Sequence, residues 1–171
     1  MPVAKIHVLA EQYNEARLGK VSKAVQDALM SALGVPPDDF FQIIHILPRS
    51  QFLHTLSFLG LKYSDDLILL EVTFISGRPR EKRLGLLKAL NDNVAAAAGI
   101  SPDDLLITLY EVPGENISFG QGLAQRAHIS DNAPRVADLA TTGRTDSMPD
   151  FGVQDRCGGY AFSAQGEGYS F

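Results

Sequence analysis

The chain has 171 residues, 45% hydrophobic and 20% charged, the composition of a soluble globular protein of one or two domains with a sizeable core and not of a disordered or collagen-like chain. A formal net charge of −5 offers no global basic field to a phosphate backbone, so nucleic acid is not an expected partner. The single cysteine, Cys157, rules out an intrachain disulfide framework and fits a reducing compartment.

In chain order, the first candidate element is "VAKIHVLA", directly behind Met1 and Pro2. Its apolar residues alternate with polar ones, a strand signature that puts His7 on the polar side. A small residue at position two lets the methionine be trimmed, so the mature chain could start with a secondary amine at Pro2. The plainer reading is that proline is simply common behind methionine, and position alone decides neither. Glu11 and Glu15 interrupt the apolar stretch a signal peptide would need, and no run of 18 apolar residues follows. The expectation is a cytoplasmic protein with no membrane partner.

Val21, Ala24, Val25, Leu29, Ala32 and Leu33 then recur with helical spacing, predicting an amphipathic helix. The turn "GVPPDD" at 34–39 and the apolar run "FFQIIHIL" follow, the latter carrying His45. Beyond the segment "LPRSQFLHTLSFLGLKYSDD" comes "LILLEVTFI", whose continuous apolarity predicts a strand buried on both faces. After "SGRPREKR" a second helical pattern runs through Leu86, Ala89, Leu90, Val94, Ala97 and Ala98, then "GISPDD" at 99–104 and "DLLITLYEV". The second series repeats the first at an offset of 65 residues, so the unit is strand, helix, strand, used twice.

The two units span about 2–58 and 66–124, inside a domain of residues 1–127. A β-α-β crossover makes its two strands parallel. The predicted fold is therefore α/β (α+β), a four-stranded sheet with two helices on one face. The opposite face is expected to stay apolar and to be buried in an oligomer. Residues 128–171, rich in Gly, Ser, Thr and Asp, have the composition of a flexible tail. Phe151, Tyr160, Phe162, Tyr169 and Phe171 would let this extension pack as a strap on the core or on a neighbouring subunit.

Few groups suggest chemistry. Arg78 and Arg80 flank Pro79 just past the third strand, and two guanidinium forks so spaced can converge on a carboxylate. They are also readable as a solvated helix start, although cations there oppose the helix dipole. Asp38 and Asp39 read as turn residues, and the matching "PDD" at 102–104 supports that; a carboxylate there could equally orient a water. His7, His45, His54 and His128 show no metal-ligand spacing, so no metal is expected. "SFGQG" at 118–122 is not a phosphate loop, and neither a GxSxG nor a nucleophilic cysteine motif occurs.

Taken together, "PVAKIHVLA", "GVPPDDFFQIIH", the "RPR" of residues 78–80 and "ISFGQGLAQ" resemble the tautomerase superfamily over residues 2 to about 127. Within it the chain is most similar to the malonate semialdehyde decarboxylase branch. The resemblance implies a cofactor-independent homotrimer built on the 4-oxalocrotonate tautomerase fold, with Pro2 as the catalytic amine and Asp39 as the acid beside it. It further implies Arg78 and Arg80 as carboxylate binders and Phe119 as part of an apolar wall. Where the decarboxylases carry tryptophan, this chain has Ile117. On this reading Arg78, Arg80 and burial lower the pKa of the amine and Asp39 raises it. The implied reaction is decarboxylation of malonate semialdehyde, with hydration as a companion activity. Keto-enol tautomerisation of a phenylpyruvate type, dehalogenation of the cis-3-chloroacrylic acid kind, and a non-catalytic trimeric binding protein are the alternatives.

Overall fold

The computed structural model describes residues 2–127. The expectations placed on residues 128–171, on His128 and on Cys157 lie outside the described residues.

The first unit comprises β1 (Pro2–Leu9), α1 (Glu15–Leu33) and β2 (Gln42–Leu47). A small hairpin follows, β3 (Ser57–Phe58) and β4 (Leu61–Lys62), and the second unit is β5 (Ile68–Ile75), α2 (Arg80–Ala98) and β6 (Leu105–Val112). Asn14 caps α1, its side-chain oxygen accepting the Arg17 N–H at 2.9 Å, which satisfies one of the donors a helix start leaves without an intrahelical partner. Both helices end on a left-handed glycine, Gly34 at φ 66° and Gly99 at φ 67°, a conformation that a β-carbon would strain.

The four long strands form one sheet in the order β2-β1-β5-β6. Each unit contributes a parallel pair, and the two pairs meet through an antiparallel β1/β5 seam in which Pro2 stands opposite Phe74. Ala4, Ile6 and Val8 of β1 and Ile68, Leu70, Val72 and Phe74 of β5 project to the helix side, where they form one buried cluster with Val21, Val25, Leu29, Leu86, Leu90 and Val94. Truncating a fully buried member such as Leu90 to alanine costs about 2–5 kcal/mol, because both transfer energy and packing contacts are lost. The α/β (α+β) architecture of tandem units, with both helices on one face, is the one the repeat implies.

Three details depart from the sequence expectations. First, β5 is not buried on both faces along its length: its burial alternates as that of β1 does up to its last residue, because Glu71 and Thr73 point away from the helices, while Leu69 and Ile75 on that side lend the run its apolar continuity. Second, the uncovered face is mixed and not uniformly apolar. Its centre holds Lys5 and Glu71, 3.6 Å apart, with His7 and His45 alongside; exposed apolar side chains flank them at Ile43, Leu106 and Tyr110.

Third, the offset of 65 holds for the helices and for β2/β6 but not for the first strands. Pro2 corresponds to Ile68 and Leu9 to Ile75, an offset of 66, because the turn from β1 to α1 is one residue longer than that from β5 to α2. A one-residue shift in a strand exchanges its two faces, so this turn restores the pleat of β1 to the helix side.

Candidate active site

The register gathers the chain's candidate residues at one end of the sheet. β1 begins there, β2 begins beside it, and β5 and β6 both finish there. Pro2 is buried at the very edge. Two residues on, the Ala4 N–H donates to the Phe41 carbonyl at 3.0 Å, tying the segment after Asp39 to β1.

Arg78 and Arg80 follow the end of β5, within reach of the same edge. The Arg78 guanidinium lies over the Phe74 ring at 5.6 Å from its centroid, and Phe74 is the cross-strand partner of Pro2. The Nε–H of Arg78 is shielded from solvent and has no protein acceptor, an arrangement that favours an acceptor brought from outside. Arg80 opens α2 and is exposed. Pro79 between them holds φ at −56° with no side-chain cap, so the first N–H groups of α2 also face this end, where a negative charge is favoured.

Asp39 and Phe119 line one open depression of about 380 Å³, together with Pro36, Asp38, Phe41, Gln125 and Arg126. The Asp39 segment is held from α1: buried Gln26 donates through Nε2 to the Asp39 carbonyl at 3.3 Å, while the Asp39 N–H donates to Pro36 O at 3.1 Å. Gln125 secures the opposite wall, its Oε1 accepting the Phe119 N–H and its Nε2 donating to Gly120 O, both at 3.0 Å. Ile117 is half-buried just after β6. Sequence reasoning did not single out Gln26, Gln125 or Arg126. Gln26 carried a signal, a polar side chain on the apolar face of a helix, and Gln125 closes the "ISFGQGLAQ" motif.

The opposite end of the sheet has the same frame and different contents. Ile68 stands there in place of Pro2, and Asp104, the counterpart of Asp39, is 4% exposed. Its carboxylate accepts the Ser64 N–H at 2.6 Å and the Ser64 hydroxyl at 2.8 Å. Tyr13, the counterpart of Arg78, is buried and donates its hydroxyl to the Asp66 carbonyl. Burial pushes the Tyr13 phenol well above its ordinary range, against the pull of Arg17. Arg17 closes this end, stacked on Tyr13 at 4.4 Å and bonded to Asp66 at 2.6 Å.

On the uncovered face, the structure joins two histidines that lie far apart in sequence. His7 and His45 are register partners, with ring centroids 4.6 Å apart, edge to face. Burial holds the His7 pKa below its ordinary value, His45 and Lys5 add to that, and Glu71 opposes it. No group of three or more metal-ligating side chains occurs among the described residues, nor is any described helix long and apolar enough to cross a membrane.

The doubled β-α-β sheet sets Pro2 and Arg78 against Phe74 at one end and places Asp39 and Phe119 in a depression that Pro2, Arg78 and Arg80 do not line. A family model described as "Tautomerase enzyme" matches residues 39–120. The probable tautomerase YusQ of Bacillus subtilis (strain 168) is 29% identical over 125 residues, covering 73% of this chain and 98% of that protein. A solved malonate semialdehyde decarboxylase superposes with a TM-score of 0.67 at 26% identity, over 77% of this chain and 99% of its own. A fused 4-OT, a symmetric trimer, shares the fold with a TM-score of 0.60 at 22% identity, over 77% of this chain and 99% of its own. The chain is thus similar, across most of its described residues, to members of the tautomerase superfamily.

Proposed function

We propose that the chain is an amino-terminal-proline enzyme that decarboxylates malonate semialdehyde, or a closely related small 3-oxo acid, to an aldehyde and CO2. The observation that carries this reading is the edge register: Pro2 faces Phe74 across the seam, and the Arg78 guanidinium lies on that ring with an unpaired Nε–H. Similarity to a malonate semialdehyde decarboxylase described as having decarboxylase and hydratase activities supports the substrate class.

Removal of Met1 makes the Pro2 nitrogen a secondary amine. Arg78 and Arg80 take the carboxylate and turn it out of the plane of the carbonyl. The protonated amine donates a hydrogen bond to the aldehyde oxygen. The bond between the carboxylate carbon and C2 breaks, its electron pair moves into the enolate held by that N–H, and CO2 departs. Protonation of C2 yields acetaldehyde. Asp39 sustains the charge on the amine and orients water for the companion hydration. Ile117 and Phe119 form the apolar wall that keeps bulk water from the enolate. The assembly is a homotrimer, as the fused 4-OT is, with copies covering the open sheet face.

A second reading, keto-enol tautomerisation, is favoured by the curated relative's description as a probable tautomerase. There the neutral amine moves a proton between carbon and oxygen. Proton NMR of the purified chain with malonate semialdehyde, run beside phenylenolpyruvate, separates the two. Acetaldehyde formed by wild type and not by Pro2→Ala supports decarboxylation; ketonisation without loss of CO2 supports the tautomerase; no turnover of either contradicts both.

A further inference from the structure

The segment that joins the two units leaves the sheet at its blind end, opposite Pro2, and is uncharged where it is most exposed. Residues 52–61 read FLHTLSFLGL, without a lysine, arginine, aspartate or glutamate. Leu53, Leu56, Phe58 and Leu59 are 81%, 75%, 60% and 84% exposed. Phe58 pairs with Leu61 across β3 and β4, so Leu59 and Gly60 make the turn, with φ of 50° and 83°. A two-residue hairpin turn of this hand suits Asn-Gly, and a leucine held there is strained by its own β-carbon. The tip thus combines a disfavoured backbone with a large apolar side chain in water.

The hairpin is nevertheless held firmly. Phe52, at its base, is 4% exposed and packs in one buried cluster with Leu9 and Leu67. The Pro48 carbonyl accepts the N–H groups of Gln51 at 2.8 Å and of Phe52 at 3.1 Å. Arg49 and Asp65 close the neck as a two-bonded fork at 2.8 and 2.5 Å. Nearer the tip, the Tyr63 N–H donates to Leu56 O and the Lys62 N–H to an Asp103 carboxylate oxygen, both at 3.0 Å. A contiguous apolar surface presented on a fixed arm marks an interaction site.

The same chain leaves a second apolar surface open. β2 is an outer strand of the sheet, and Ile43, Ile44 and Ile46 stand 47%, 37% and 51% exposed along its two faces. Outer strands are ordinarily blunted by charge or proline. β2 has neither, whereas the other outer strand, β6, carries Glu111, paired with Arg83 at 2.8 Å. We infer that the β3–β4 hairpin is an assembly arm whose Leu59 tip seats against β2 of a second copy of this chain. Two different patches meet in such a contact, so it is heterologous and passes from copy to copy until a ring closes. An uncharged arm matches an uncharged strand, and residues 52–61 offer no basic side chain to an anionic lipid surface. The inference rests on the proposed homotrimer, within which it names the contact.

The test uses the purified full chain. Light scattering after gel filtration gives its mass, and sedimentation gives the dissociation constants of wild type and Leu59→Asn. Benzoylphenylalanine placed at position 59 reports its neighbour by photo-cross-linking and mass spectrometry. Wild type should be a discrete closed oligomer, with cross-links joining position 59 to residues 42–47 of another copy. Leu59→Asn relieves the backbone strain, so it should fold with an unchanged circular dichroism spectrum and yet associate at least about 10-fold more weakly. A monomeric wild type overturns both the inference and the homotrimer. A trimer that Leu59→Asn leaves equally tight, or in which position 59 forms no cross-link to residues 42–47 of another copy, overturns the inference alone. The expected cross-links in a ring of some other size support the arm and overturn the homotrimer instead.

Discussion

Asp39 and Asp104 occupy equivalent positions in the two halves and have opposite surroundings. Asp104 is buried, both carboxylate oxygens engaged by Ser64, whereas Asp39 lines an open depression with Phe119. Asp104→Ala should therefore lower stability by about 1–3 kcal/mol, since it leaves the Ser64 N–H and hydroxyl without their acceptor. Activity per folded molecule should be kept. Asp39→Asn should reverse the pattern, with turnover falling and the urea midpoint holding. Equal effects on turnover would contradict the division.

The two arginines should differ from each other. Arg78 is braced on Phe74 and Arg80 is exposed at the start of α2. Arg80→Ala should raise KM for carboxylate substrates far more than for an uncharged carbonyl analogue. Arg78→Lys should be nearly as damaging as Arg78→Ala, because an ammonium reproduces neither the fork nor the stacking. Steady-state kinetics on a paired acid and amide would show this, and equal losses on both would argue against carboxylate binding.

His7 predicts a pH dependence of stability. Its pKa in the folded chain lies below the ordinary 6.5, chiefly through burial and then through His45. The unfolded chain therefore binds the proton first as pH falls. Stability from this group is complete above about 6.5, declines as pH drops below that value, and levels off once the folded-state pKa is passed. Chemical denaturation at a series of pH values should show this decline in wild type and a flatter profile in His7→Gln. The groups facing His7 are His45, Lys5 and Glu71, so His45→Gln should give part of the same flattening.

Arg17 joins the two halves at the blind end, donating to Gln12 O at 2.7 Å, Ala98 O at 3.0 Å and Asp66 at 2.6 Å. Arg17→Ala should cost about 1–3 kcal/mol in thermal or urea unfolding and leave kcat unchanged, because it acts at the end away from Pro2. A large drop in kcat with normal stability would mean that the two ends are coupled.

Much of this arrangement is legible in the chain itself. The 3.6-residue period marks both helices, and Gly34 and Gly99 mark their ends, so the doubled unit can be read before any coordinates. What is not legible depends on register. The extra residue between β1 and α1 is hidden by the good match of the flanking helices, and Leu69 masks the alternation of β5. Nothing local announces that His45 will lie against His7. Pro2, Asp39, Arg78 and Arg80 are recognisable as residues, but their gathering at one edge follows from an antiparallel seam, which aligns the start of β1 with the end of β5. Gln26 and Gln125 act through backbone carbonyls and amides, contacts that sequence patterns do not encode.

The antiparallel seam also fixes a stoichiometry. Two β-α-β units joined in one chain present two equivalent strand starts, Pro2 and Ile68, and Ile68 lies within the chain. The nitrogen of Ile68 is a peptide amide and has no basic lone pair, whatever the residue there. On the proposed role of Pro2, joining the units in one chain leaves one reactive amine for two units, and an active-site titration should saturate at one equivalent per chain.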